Sequence, residues 1–330
     1  MFWIFLSCAA RQTAHTPNPV PANDAGGVPS AAQSLQGAHG PLQVQVGELV
    51  GEGQSLSFTF DFPQSGAWLV EERVTSQRFG AGDQQMVLEG QYELHAQAWD
   101  GGLWLRAQAS ELQGSSNVLA EALLAKPPDW SLSAEGRFLG VDADQDYLAE
   151  LRSLFPEQDP RLSQLDPAAV ASSGGGYMQR NLWDKGVGAL LGQDFVVGTE
   201  RSFEAQTLLA TGERLPTTIK VVVLGERDCG GRACVAVSMA EETDPSATAE
   251  LLQRNLRLAY AASNQGGTLP SVSYAGVQTH RSILLFAESG VPYSEAVLTD
   301  TRVRVHTEEG SQDTQSLEVR ERSWRPVQPG

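Results

Sequence analysis

The stretch Tyr177–Gly198, YMQRNLWDKGVGALLGQDFVVG, decides how this chain is read, because its apolar spacing is helical while nearly everything on either side alternates like β-strand. Met178, Leu182, Trp183, Val187, Leu190 and Leu191 fall on one stripe, with Arg180, Asn181, Asp184 and Lys185 opposite, the three-four spacing of an amphipathic helix. Gly192 supplies a stop. Gly186 and Gly188 each cost about 1 kcal/mol relative to alanine inside a helix, so a close approach to a sheet is the expected reason for their presence. The stretch carries no catalytic signature and reads as a packing element between two β-rich halves.

Working outward, the N-terminal half (41–173) reads as successive strands at Leu42–Val50, Ser55–Phe62, Ala67–Thr75, Met86–Trp99 and Leu103–Ser110, with β-like pattern resuming from Trp130 to Val141. Asn117–Ala125 fits either a short helix or a strand. Ser55–Phe62 alternates strictly, placing Leu56, Phe58, Phe60 and Phe62 on one face, and Trp99-Asp-Gly-Gly-Leu-Trp104 carries a tight hairpin turn. Asp146–Phe155 has a helical stripe ended by Pro156. The glycines at 174–176 mark a boundary before the central helix. The C-terminal half (174–330) continues with β-runs at Phe195–Leu209, Thr217–Leu224 and Ala233–Glu241. A helix capped by Asp244-Pro245 follows, and then runs at Ser271–Val277, Arg281–Ala287, Glu295–Leu298 with Arg302–His306, and Ser316–Trp324. Each strand is apolar on one side only, the signature of an antiparallel sheet with one covered face. The expectation is an α+β fold of antiparallel β-meanders, forming a curved sheet or half-barrel with a few amphipathic helices packed on one face. The two halves form either two domains or one continuous domain.

At 330 residues and 41% hydrophobic, the chain can bury a sizeable core. A net charge of −17, from 40 acidic against 23 basic residues, repels phosphate backbones over most of the surface, which argues against nucleic acid as a partner.

Met1–Leu6, MFWIFL, runs into Ser7-Cys8, and a short apolar stretch before cysteine resembles the lipobox of bacterial lipoproteins. That resemblance implies acylation of Cys8 and a membrane partner through the lipid. It departs from the pattern in lacking a basic residue before the apolar run, and in Phe5 and Leu6 standing where leucine and a small residue are usual. Residues 9–40 are rich in Ala, Pro, Ser, Gly and Asn, with Pro17, Pro19, Pro21 and Pro29, and read as a disordered tether. An acylated cysteine followed by a tether implies an exported protein held at the cell envelope.

Cys229 and Cys234 flank Gly230-Gly231 between two β-runs, a hairpin pattern. The pair reads as a disulfide, a two-thiolate metal or redox site, or free thiols. Four intervening residues is not the CxxC spacing and no histidine is near in sequence, so the bridge is favoured, with an oxidising compartment as its consequence.

Candidate chemistry is sparse. Asp142-Ala-Asp144-Gln-Asp146 starts like an EF-hand loop, but Tyr147 and Ser153 stand where glycine and glutamate are needed, so it reads as a helix start and no metal is expected. Gly186-x-Gly188 lies inside a helical pattern and not after a strand, which removes a dinucleotide reading, and no cofactor is expected. There is no HExxH, GxSxG or Walker motif. His280, beside Arg281 and Glu288, is where a site converging only in space would be sought.

With these features, a tethered β-meander with interrupting helices and a tryptophan-bearing central helix resembles the LolA/LppX-type lipoproteins of bacterial envelopes. The resemblance implies a half-barrel closed by helices that can hold lipid, with Trp183, Val187, Leu190 and Leu191 as the lid of an apolar cavity. The function expected is binding of an apolar ligand or protein partner without catalysis. The rival classes are an extracytoplasmic enzyme and a structural or interaction module of the envelope.

Overall fold

The computed structural model describes residues 51–63, 65–79, 84–113, 126–142, 145–153, 175–208, 213–263, 269–308 and 310–327. Cys8, the tether, Leu42–Val50 and Asn117–Ala125 lie outside them. In chain order the first half supplies β1 (Ser55–Ser57), β2 (Ser65–Phe79), β3 (Gln84–Trp99), β4 (Gly102–Gln113), β5 (Asp129–Ser133), β6 (Phe138–Asp142) and α1 (Gln145–Ser153). The second supplies α2 (Gly175–Asp184), a 3-10 turn (Val187–Ala189), β7 (Asp194–Val196), β8 (Glu200–Leu208), β9 (Arg214–Asp228), β10 (Ala233–Thr243), α3 (Pro245–Ser263), β11 (Ser271–Phe286), β12 (Pro292–Thr307) and β13 (Gly310–Pro326).

Eleven strands pair antiparallel in one open, curved sheet of order β6-β5-β4-β3-β2-β13-β12-β11-β10-β9-β8. Each half is a meander of consecutive hairpins, as one-sided apolar alternation demands. The last strand then returns to the first long one: β13 pairs β2 from Gln315↔Phe79 to Pro326↔Trp68. The halves therefore meet in the middle of a single sheet, and β6 and β8 are left at its two edges, unpaired with each other. Helix α2 packs against both edge strands. β1 and β7 form a separate two-stranded ribbon, Ser55↔Val196 to Ser57↔Asp194.

One hydrophobic core fills the inner face, with Val70, Tyr92, Leu105, Trp130, Leu132, Val221, Val223, Val237, Ile283 and Trp324 contributed by the sheet. At one end of the sheet α3 packs on β11 and β9, burying Leu251 and Leu252. It begins where the sequence places it, with Ala247 N donating to the Asp244 carboxylate at 2.7 Å.

Five expectations change in detail. The run Trp130–Val141 is two strands, β5 and β6, joined by a turn, and Phe195–Leu209 is divided between β7 of the ribbon and β8 of the main sheet. The central helix is shorter than its stripe. The Leu182 carbonyl accepts from Arg281 Nη1 at 2.9 Å, while Gly186 N bonds the Trp183 carbonyl instead, so the last turn tightens and the ladder stops at Asp184. Ser55–Phe62 keeps its alternation but pairs only over Ser55–Ser57. Beyond that Phe58 N donates to Gln193 O, Gly192 N to Phe58 O, and the phenylalanines pack on the core as a strap. Finally, the two paired runs at the C-terminus are single strands. Thr279↔Thr299 and Gln278↔Asp300 lie in register, so backbone pairing carries the strands through stretches where the apolar pattern lapses.

Candidate functional site

The segment Leu182–Gly192 closes the gap between the sheet edges, and its geometry follows from where its polar atoms find partners. Trp183 Nε1 donates to Gly136 O at 2.8 Å, next to the turn into β6. The indole meets Phe60 edge-on. Val187 and Leu190 are buried and Leu191 half-buried, all packed into the core. Lys185 reaches the other flank, pairing with Glu241 of β10 and donating to Thr207 Oγ1 of β8 at 2.9 Å. Burial pushes the Lys185 ammonium below the usual lysine range, with Glu241 opposing. Gly186 explains its own presence: a Cβ there would lie 2.5 Å from Arg281 Nη1 and 2.6 Å from the Leu182 carbonyl. This is a close approach to the sheet, made through an arginine standing on it.

Beneath this segment lies a cavity of about 40 Å³, lined by Gln179, Leu182, Trp183 and Val187 on one side and by Tyr92, Leu105, Trp130, Ile283 and Trp324 on the other. That is room for about one water and well below the several hundred Å³ of a ligand pocket. In this state the four expected lid residues are themselves the filling of the half-barrel.

A belt of charge crosses the inner face at the margin of the core. Glu72, Arg322 and Glu295 lie in register across β2, β13 and β12. Arg322 donates twice to Glu72, at 3.0 and 2.8 Å. Arg320 Nη1 lies 3.0 Å from the other Glu72 oxygen, and Arg281 pairs with Glu295 at 2.6 Å. Burial works against the Arg322 charge but Glu72 and neighbouring groups outweigh it, leaving its pKa above the ordinary value. Burial pushes the Tyr92 hydroxyl up as well. Sequence reasoning missed this belt. Its signal is a charged residue in apolar phase, as in Val70-x-Glu72-x-Val74.

The other face of the same strands holds an open trough of about 900 Å³ running across β9–β13, β2 and β3. Glu71 and Arg73 line it while the alternate residues Val70 and Val74 are buried. Short side chains dig the trough, with Gly90, Ala236, Ser282, Ser294, Ala296 and Ser323 forming its floor. Glu295 and Arg322 border both the trough and the inner cavity.

Cys229 and Cys234 are disulfide-bonded, with Cα atoms 5.9 Å apart. They do not face each other on one rung: Cys234 stands opposite Arg227, and Cys229 sits in the turn, its N–H donating to Arg232 O. The His280 neighbourhood does not converge. Arg281 points to Glu295 on the inner face and Glu288 pairs with Arg232. Burial holds His280 below its usual range, opposed by Asp300. Among the described residues no three His, Cys, Asp or Glu side chains are grouped to hold a metal, and no helix is long and apolar enough to cross a membrane.

No family model matches the sequence, and no curated protein matches it. Among solved structures, the chain is similar to one described as showing lipid–protein interactions in lipovitellin, at 11% identity and TM-score 0.42, over 82% of this chain and 26% of that one. This chain thus spans about a quarter of the lipovitellin chain. It is also similar to a LolA superfamily protein from Nitrosomonas europaea, at 8% identity and TM-score 0.15, over 82% of this chain and 90% of that one. OccK8 (OprE) of Pseudomonas aeruginosa matches at 6% identity and TM-score 0.17, over 82% of this chain and 100% of that one. Likeness of this degree carries no functional argument.

Proposed function

We propose that this chain is a non-catalytic binding protein of the bacterial cell envelope, exported and anchored through acylated Cys8, that takes an apolar ligand against the inner face of its curved sheet. Trp183, Val187, Leu190 and Leu191 are the lid. One observation carries this reading: the edges β6 and β8 do not pair, and the gap is closed by a segment whose apolar side chains occupy the half-barrel. An acyl chain would replace those four side chains on the inner face, at the cost of the polar ties of Leu182, Trp183 and Lys185. The sheet wall it would meet is apolar, which suits a hydrocarbon ligand.

The small volume of the cavity favours a second reading, an interaction module with a filled core. Native mass spectrometry of protein extracted gently from its source separates the two. A co-purifying lipid, together with uptake of the neutral probe N-phenyl-1-naphthylamine by the delipidated protein, is the expected result. Absence of both lipid and probe uptake would overturn the lid reading and leave the interaction module standing. Peptide mass spectrometry should find an acyl-modified Cys8, and an unmodified Met1 in a cytosolic fraction would sink the export claim.

A further inference from the structure

We infer that the trough on the sheet's outer face is a second binding site, for an extended basic segment of a partner polypeptide. The argument starts with shape. The trough crosses seven strands, β3 to β9 in sheet order, six spacings of about 4.8 Å, so about 29 Å, the span of roughly nine extended residues. It is open along that length. A compact small molecule would leave much of its surface wet there, whereas ligand pockets bury most of theirs; a chain laid in a trough is covered on one side along its whole length.

The charges select the chain. At the β3-β2-β13 end, Glu89, Arg73 and Glu321 lie in register. Arg73 is taken by Glu89 at 3.3 Å, and Glu71 is held by Arg325. The side chain of half-buried Glu321, opposite Arg73, has no hydrogen-bond or ion-pair partner among the described residues. In the belt beneath the floor Arg281, Arg320 and Arg322 are matched by Glu72, Glu295 and, at 3.9 Å from Arg320, Glu318, so it does not offset these carboxylates. At the β9 end Arg227 and Asp228 line the trough, one of each sign, so the uncommitted Glu321 leaves a negative charge in a chain of net charge −17, which attracts cationic chains and rejects acidic ones.

The floor supplies the rest. Ser294 and Ser323 are cross-strand partners and Ser282 lies opposite Ala296. The Ser282 and Ser294 hydroxyls can both donate to and accept from a peptide backbone laid across them, while Ser323 Oγ, which donates to Glu71 at 3.4 Å, keeps its lone pairs to accept. The trough lies in the interior of the sheet, away from β6 and β8, so recognition is by side chains and not by strand addition. Ala236, Leu284 and Ala296 leave an apolar stretch at the β10–β12 side for an uncharged residue of the same segment.

The test uses the full chain and two fluorescein-labelled nine-residue peptides, one alternating Lys and Ala, the other Glu and Ala, read by anisotropy at low and moderate salt. The basic peptide should bind and weaken with salt, and the acidic one should not bind. Glu321→Lys should weaken the basic peptide by at least about tenfold. Ser294→Trp, which obstructs the floor, should do the same without changing the charge. Asp100→Lys, at the distant β3–β4 hairpin tip, should leave affinity unchanged. If Asp100→Lys weakens binding as much as Glu321→Lys, the attraction belongs to the whole surface and the site is overturned; equal binding of both peptides, or none of either, overturns it too. Uptake of N-phenyl-1-naphthylamine in the same variants should stay at the parent level, so failure of the inner site and failure of the trough remain distinguishable.

Discussion

Arg281 and Glu295 should not be equivalent losses, although they are the two halves of one ion pair. Both are nearly inaccessible, with side chains 6% and 7% exposed. Breaking a buried pair by removing one partner costs about 3–5 kcal/mol, most of it the charge left behind. Counting pairs at 3.0 Å or closer, however, the belt holds three arginines (Arg281, Arg320, Arg322) against two glutamates (Glu72, Glu295), and the third carboxylate, Glu318, stands 3.9 Å from Arg320 and is a quarter exposed. Arg281→Met leaves two against two, with Arg322 still beside Glu295. The expected loss is then mainly the hydrogen bonds to Glu295 and to the Leu182 carbonyl, about 2–3 kcal/mol. Glu295→Leu leaves three positive charges facing one buried carboxylate, Glu72, and the full range of about 3–5 kcal/mol is expected. Combining the two should restore part of the loss, giving an interaction energy above about 1 kcal/mol in a double-mutant cycle. Urea unfolding followed by tryptophan fluorescence measures all four proteins, and hydrogen exchange across 182–192 reports whether the lid loosens in Arg281→Met. A variant Arg281→Met as costly as Glu295→Leu, or strictly additive effects, would refute the reasoning that the surplus of buried positive charge, which only part-exposed Glu318 balances, governs the belt.

Other consequences are open to simpler measurements. Gly186→Ala should destabilise by about 1–3 kcal/mol, because its Cβ meets the Leu182 carbonyl at 2.6 Å. Gly140→Ala, with nothing within 4 Å, should stay within about 0.5 kcal/mol in the same urea series. Replacing Cys229 and Cys234 together by alanine should cost about 2 kcal/mol on the loop-entropy estimate, and a midpoint indifferent to reduction in the parent would contradict it. His280 is held below 6.5 chiefly by burial. As pH falls through 6.5 the unfolded chain takes up a proton that the folded one resists, so stability falls in the window just below 6.5. His280→Gln should flatten that slope, measured as urea midpoints between neutral and mildly acidic pH, and an unchanged slope assigns it elsewhere.

Much of the architecture is legible in the chain because its causes are local. Alternation at Trp68, Val70 and Val74 makes a one-sided strand whatever it pairs with, Asp244-Pro245 starts a helix wherever the helix docks, and Gly230-Gly231 turns a hairpin between cysteines close enough to bridge. The antiparallel, one-face-covered character of the sheet follows from the same period.

What only the tertiary structure decides is long in sequence. Arg322 meets Glu72 across 250 positions, and nothing near either residue announces the partner. The stop of the central helix at Asp184 depends on Arg281 taking the Leu182 carbonyl from 99 positions away, so a stripe counted through Leu191 overshoots it. The trough is dug by small residues that are unremarkable on their own strands and become a channel only in register. The sequence by itself determined the strands, the caps and the one apolar face, because those depend on neighbours within a turn or a pleat. The meeting of β2 with β13, and with it the charged belt, the helix-closed gap and the trough, was decided by tertiary pairing, whose selectivity comes from contacts that no local window contains.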